Sequence, residues 1–300
     1  MLKAAWMQPV NRNFYLNVVG PSGPKRKERV VMKNLKTLSN AAILAATIAA
    51  PTHAEMFWSD NSITVLHSAD YFNVASNFGA PNKEVEYTTV TLEHVSGHSW
   101  GDAFFFLDRH HGKGASAGFN ETYSEISPRI SLGKTTGADL SVGPIKDVLL
   151  AGTYEFSTDT TGFAQDNYLY GVGLDWDLPG FAFFQTNFYY ANNKQNFANF
   201  NDDWNDIQLT IVYGVPFGVA GVDFMFDGYI DWSSAETKNG QQHASDFHFN
   251  PQLRADIGKF VGIEKSKLEV GIEYSYWSNK FGVASDDNES AVSALVKFHL

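Results

Sequence analysis

Cysteine is absent from the 300 residues, which excludes disulfides and thiolate metal sites. Past Glu55 no apolar run approaches the roughly 20 residues that a transmembrane helix requires. G-x-S-x-G, a phosphate-binding glycine loop and H-E-x-x-H are also missing, and no spacing marks a nucleophile among the serines and nine histidines. The chain is therefore expected to be no enzyme, with no catalytic residue, metal or cofactor. Outer-membrane hydrolases that carry a Ser/His pair on the wall keep one enzymatic alternative open. Basic residues are few, 22 Lys/Arg against 33 Asp/Glu, for a formal net charge of −11.

That charge is unevenly spread. Met32-Lys-Asn-Leu-Lys36 followed by the apolar Ala41–Ala50 and by Thr52-His53-Ala54 has the three regions of a secretory signal peptide, spanning 32–54. Residues 1–31 precede this signal and read as a mis-assigned extension, with translation expected to start at Met32. The first 54 residues hold eight of the Lys/Arg and one of the Asp/Glu, so residues 55–300 retain 14 basic and 32 acidic side chains, net −18. Such a surface repels nucleic acid. It favours neutral or cationic solutes in any channel that it lines.

Aromatics are abundant, 24 Phe, 13 Tyr and seven Trp, more than a soluble domain usually needs and suited to interfacial girdles. From Asp246 to Ile257 every even position is polar and every odd position apolar. In an extended chain such a segment has one wet and one oily face. The pattern fits a soluble sandwich or a membrane barrel, and its recurrence favours the barrel. Strands are predicted near 62–70, 86–96, 100–109, 121–132, 146–157, 167–177, 181–191, 204–213, 219–232, 246–257, 267–277 and 290–300. That makes an all-β, single up-and-down barrel of about 12 antiparallel strands over 55–300, an even number as bacterial barrels require. The first two strands alternate poorly. Short links near 97–98, 178–180 and 214–218 interleave with longer polar ones, although 133–145 and 258–266 break the rhythm. Pro128 and Pro251 fall inside strands, where each forfeits a ladder hydrogen bond and calls for a bulge or a strand end.

With the apolar sets facing lipid, the opposite sets share the interior. Candidate pore-lining residues are Asp102, Phe104, Phe106, Asp108, Glu125, Arg129, Phe183, Tyr189 and Asp227. Phe104, Phe106 and Phe183 stand out, because an aromatic on the wet face has no lipid reason to be there. Planar bases stack on such rings for about 1–3 kcal/mol each, and carboxylates or amides can meet sugar hydroxyls. Equally, these rings fill gaps in a narrow barrel, or the register is off by one, since Phe105 and Phe184 lie next door. Arg129 among so many acids reads first as a neutralising partner. His110-His111 looks like a metal pair but lacks a third ligand, and is read as part of a solvated loop.

Thr91-Leu-Glu-His94, Asp102-Ala-Phe-Phe-Phe-Leu-Asp108, Glu125-Ile-Ser-Pro-Arg129-Ile-Ser-Leu and Asp139-Leu-Ser-Val-Gly-Pro-Ile-Lys-Asp147 resemble the Tsx family of nucleoside-specific outer-membrane channels. Gly171-Val-Gly-Leu-Asp175, Asp203-Trp204, Tyr213-Gly-Val-Pro216 and Asp231-Trp232 extend the resemblance over nearly all of the chain after the signal. It implies a monomeric twelve-stranded barrel in the outer membrane of a Gram-negative bacterium, passing nucleosides and deoxynucleosides by facilitated diffusion. Members also serve as receptors for phages and colicins. The motifs place Glu93, Asp102, Asp108, Glu125 and Arg129 at matching positions. The chain departs from the usual aromatic ending by finishing on His299-Leu300, with Phe298 close by. A small, weakly cation-preferring general porin is the alternative.

Overall fold

The computed structural model describes residues 54–195, 203–238 and 241–300, so the signal region up to His53 and the extension before it lie outside the described residues. From Glu55 onward the chain forms one compact unit. Its strands are β1 (Met56–Phe72), β2 (Glu84–His98), β3 (Gly101–Lys113), β4 (Asn120–Ser131), β5 (Ile145–Asp159), β6 (Ala164–Trp176) and β7 (Phe183–Asn193). There follow β8 (Trp204–Val219), β9 (Val222–Ser233), a small hairpin of β10 (Glu236–Lys238) and β11 (Gln241–His243), then β12 (Asp246–Asp256), β13 (Leu268–Ser278) and β14 (Glu289–His299). All but the hairpin join one closed sheet in the order β1-β14-β13-β12-β9-β8-β7-β6-β5-β4-β3-β2. Every neighbouring pair is antiparallel, and the seam closes through β1 and β14, with Val65 opposite Val296. This is the twelve-stranded up-and-down barrel that the alternation predicts, with no edge left unpaired.

Burial follows the dyad period. Along β14, Glu289, Ala291, Ser293, Leu295 and Lys297 are buried while Val292 and Val296 are half exposed. The exposed large apolar side chains, among them Val65, Leu92, Ile126, Val172, Phe188, Ile207, Leu253 and Ile272, form the outward set. Polar groups turn inward, the inverse of a soluble protein. β1 shows the same two-step burial from Ser62 to Ser68. Its sequence masks this because Leu66 points in and His67 points out.

The two tightest connections between consecutive strands of the barrel sheet, Ser99-Trp100 and Ala220-Gly221, lie on the same rim as both ends of the barrel sequence. Ala220 and Gly221 both take positive φ (51° and 79°), as a two-residue hairpin turn requires. The expected link at 214–218 is instead strand, since β8 continues to Val219 and the turn comes later. Neither a bulge nor a strand end accommodates Pro128 or Pro251, which lie inside β4 and β12. Pairing of β4 with β5 lapses between Ile126↔Tyr154 and Arg129↔Ala151 and resumes in the same register. Pro251 stays in register against Gly228, whose backbone (φ 148°) takes a conformation that favours glycine.

Candidate functional site on the inner wall

Cross-strand register assembles the candidate residues into rows around the inner face. Glu93, Phe106, Glu125, Glu155 and Asn167 are successive partners across β2 to β6. One step nearer the opposite rim run Thr91, Asp108, Tyr123 and Ser157. An aromatic ring thus stands between two carboxylates in one row and touches the next. Phe106 lies 5.7 Å from Phe104 and 5.7 Å from Tyr123, centroid to centroid, in tilted contacts. The Tyr123 hydroxyl donates to Glu125 Oε1 (2.6 Å), the Asn167 amide to Glu155 Oε2 (2.9 Å) and the Thr91 hydroxyl to Asp108 Oδ1 (2.5 Å).

Cations are spent on a different set of acids. Arg129, with 5% of its side chain exposed, donates from Nε and Nη2 to both oxygens of Asp102 (2.9 and 2.6 Å), and Nη1 lies 2.9 Å from Asp175. Arg254 binds both oxygens of Asp227 (2.6 and 2.7 Å) and Glu269 Oε2 (2.6 Å). Lys297 reaches Glu93 at 2.7 Å. Such fork-to-carboxylate geometry suits Arg. Asp108, Glu125, Glu155, Asp231 and Glu273 are held instead by neutral hydroxyl and amide donors, and among the described residues none of them forms an ion pair with a cation. Glu125 lies within electrostatic range of Asp231 and Asp108 as well as Glu155. The interior therefore carries an acid-rich belt beside the aromatic strip.

Other candidates stand apart. Tyr189 is 5% exposed, packed with Ala151, Leu169 and Ala191. Phe183 lies at the start of β7, its ring over Gly214, where an added Cβ would come within 2.4 Å. Asp227 belongs to the Arg254 cluster. His110 and His111 lie within β3 and not in a loop. Successive side chains of a strand point to opposite faces: His110 bonds Thr89 and His111 bonds Asn120, so the two cannot share a metal. Among the described residues no group of His, Asp and Glu is placed to hold a metal ion.

The sequence gives no hint of Lys280. In a segment read as loop, it pairs with Glu289 and lies 5.8, 5.2 and 5.3 Å from the ring centres of Tyr71, Trp277 and Phe281. Left-handed backbone at Asn279 and Phe281 (φ 49° and 59°) aims it inward, a tertiary effect with no local signature. Beyond the strands, Lys83 and Asp287 meet at 2.7 Å, and the carboxylate's hydrogen bond and charge raise the Lys83 pKa. At the tight-turn rim a cavity of about 340 Å³ opens among Asp102, Lys134, Lys146, Asp147, Leu149 and Asp175.

The family described as "Nucleoside-specific channel-forming protein, Tsx" matches residues 66–298, most of the barrel. The chain belongs to the Tsx family. It is 28% identical over 206 residues to outer membrane protein OmpK of Vibrio parahaemolyticus, covering 64% of this chain and 75% of that one. It is also 28% identical over 148 residues to the nucleoside-specific channel-forming protein Tsx of Salmonella typhimurium, covering 45% and 52%. The chain thus spans about three quarters of the first relative and about half of the second. The KdgM porin aligns with 79% of this chain and 98% of its own at 8% identity and a TM-score of 0.41. Family and fold together make the protein an outer-membrane β-barrel of the channel-forming type, in a Gram-negative envelope. By the rule that bacterial barrels keep their tightest turns on the periplasmic side, the rim with Ser99-Trp100 and Ala220-Gly221 faces the periplasm.

Proposed function

We propose that the barrel passes nucleosides and deoxynucleosides across the outer membrane by facilitated diffusion. The observation that carries this reading is the row in which Phe106 is flanked by Glu93 and Glu125 and in contact with Phe104 and Tyr123. Rings give a flat base a face on which to stack, and carboxylates accept hydrogen bonds from sugar hydroxyls. A strip of weak sites suits permeation, which needs binding that is favourable on entry yet readily reversed. Phe104, Phe106, Glu93, Asp108 and Glu125 are the proposed contacts. Asp102, Arg129 and Asp227 hold the wall beside them, Tyr189 packs beneath it, and Phe183 borders the periplasmic mouth. Kinship to channels whose name states nucleoside specificity supports the substrate class.

The test is single-channel conductance in planar bilayers with adenosine or thymidine added. Concentration-dependent, saturable block that ribose alone does not produce supports the proposal. Conductance indifferent to nucleosides overturns it. A second reading, a small cation-preferring general porin, draws on the acids that lack a paired cation. Permeation of unrelated sugars at rates like those of nucleosides favours it.

A further inference from the structure

We propose that the outer wall of β1–β4 binds the phosphate of an outer-leaflet lipid headgroup, with Arg109 as the principal contact. On β5–β7 and β12–β13 the outward side chains toward the loop rim include Tyr154, Tyr168, Tyr190, Phe247, Tyr274 and Tyr276. On β1–β4 the corresponding side chains are His67, Thr88, Arg109, His111, Asn120 and Thr122. Their facing is fixed by the register. Asp108 and His110 bond inward-facing Thr91 and Thr89, so Arg109 and His111 point outward.

A charged side chain on the lipid face costs roughly 2–4 kcal/mol at the bilayer midplane and little near the headgroups. Arg109 therefore marks the level of the outer-leaflet headgroups. Its Nη1 donates to the Thr122 hydroxyl at 2.8 Å, and among the described residues no carboxylate lies within ion-pair distance of it. Of the acids on the outward face of β2, Glu84 lies further toward the loop rim, opposite Phe72, and Glu86 sits opposite Lys113 and 3.8 Å from His67. The remaining guanidinium donors form a planar fork that matches two phosphate oxygens. His111, two residues along the same face, and the Thr122 hydroxyl border the same spot. Val90 lies directly across from Arg109 on the outer face, and below the two lie Leu92, Leu107 and Ile126. A phosphate with acyl chains satisfies both halves of this surface, whereas free phosphate uses only the upper one.

The test uses the full barrel reconstituted in phosphatidylcholine nanodiscs that contain bisphosphorylated lipid A, or the same lipid after dephosphorylation. Bound lipid A per barrel is counted by mass spectrometry after mild detergent extraction, on protein whose folding is verified by heat-modifiable electrophoretic mobility. R109Q is expected to lower retention about fivefold, and dephosphorylation to lower it similarly in the wild type. R109K keeps the charge, loses the fork and falls between the two, which guards against a folding defect in R109Q. K194Q, which removes another cation at the loop rim, leaves retention unchanged. Equal retention by R109Q and wild type, equal retention of the dephosphorylated lipid, or an equal loss in K194Q overturns the assignment.

Discussion

Arg129 grips both carboxylate oxygens of Asp102 across the β3–β4 pair, at 2.9 and 2.6 Å. Asp175 approaches the far side of the guanidinium at 2.9 Å. Removing one partner of a buried ion pair strands the other charge, at a cost of about 3–5 kcal/mol. Asp102→Ala leaves the guanidinium with Asp175 as its remaining carboxylate and is therefore expected to destabilise the barrel by less than that, about 1–3 kcal/mol. Asp102→Asn, which keeps a hydrogen-bond acceptor, falls between. Urea titration of the folded fraction in lipid vesicles measures this, and an Asp102→Ala barrel as stable as wild type would show that solvent reaches the cluster freely.

The aromatic strip predicts a specific permeation defect. Phe106→Ala removes the ring between Glu93 and Glu125 while leaving every ion pair intact. Stacking worth about 1–3 kcal/mol per base sets the expected loss, about five- to 150-fold in the half-blocking concentration of adenosine. Phe105→Ala, whose ring faces lipid, leaves block unchanged. An equal loss in the two variants would place the rings in a packing role.

How far the sequence speaks for itself can be judged at these same residues. The oily and wet sets of β8, β9 and β12–β14 were legible because polar and apolar residues alternate strictly along these segments, as a two-faced strand requires. Phe104-Phe105-Phe106 was not, since three identical rings leave the register free to slip by one. Asp102 settles it: it reaches Arg129 only if Phe104 and Phe106 also point inward, and that pairing is a tertiary fact. The Pro216-Phe217-Gly218 stretch suggested a turn through proline and glycine, but apolar Phe217 and Val219 continue the outward set and the strand runs on. His110-His111 suggested a loop on polarity alone, whereas each ring finds its own cross-strand partner.

The acid belt predicts charge selectivity. Glu125 and Glu155 are cross-strand neighbours held by Tyr123 and Asn167, with no ion-paired cation among the described residues. Glu125→Gln with Glu155→Gln is expected to move the reversal potential in a potassium chloride gradient toward zero. The potassium-to-chloride permeability ratio falls by up to about fivefold per carboxylate, the scale of two charges 4 Å apart in water. Neutralising Asp223, at the rim and paired with Lys265, should leave the ratio unchanged. A double variant with an unaltered reversal potential would mean that permeating ions do not sense the belt.

The two strand prolines predict opposite tolerance at two glycines. Gly228 faces Pro251, its φ is 148°, and an added Cβ would lie 2.2 Å from the Asn250 carbonyl oxygen. That oxygen belongs to the backbone of the neighbouring strand and cannot swing aside. Gly152, in the stretch of β5 opposite Pro128, has nothing nearer than 3.8 Å to an added Cβ. Gly228→Ala should therefore cost more than about 1 kcal/mol, while Gly152→Ala should be neutral or stabilise by about 0.4–1 kcal/mol through the unfolded chain. Parallel urea titrations of the two variants decide the point, and equal effects would mean that β9 shifts to admit the methyl group.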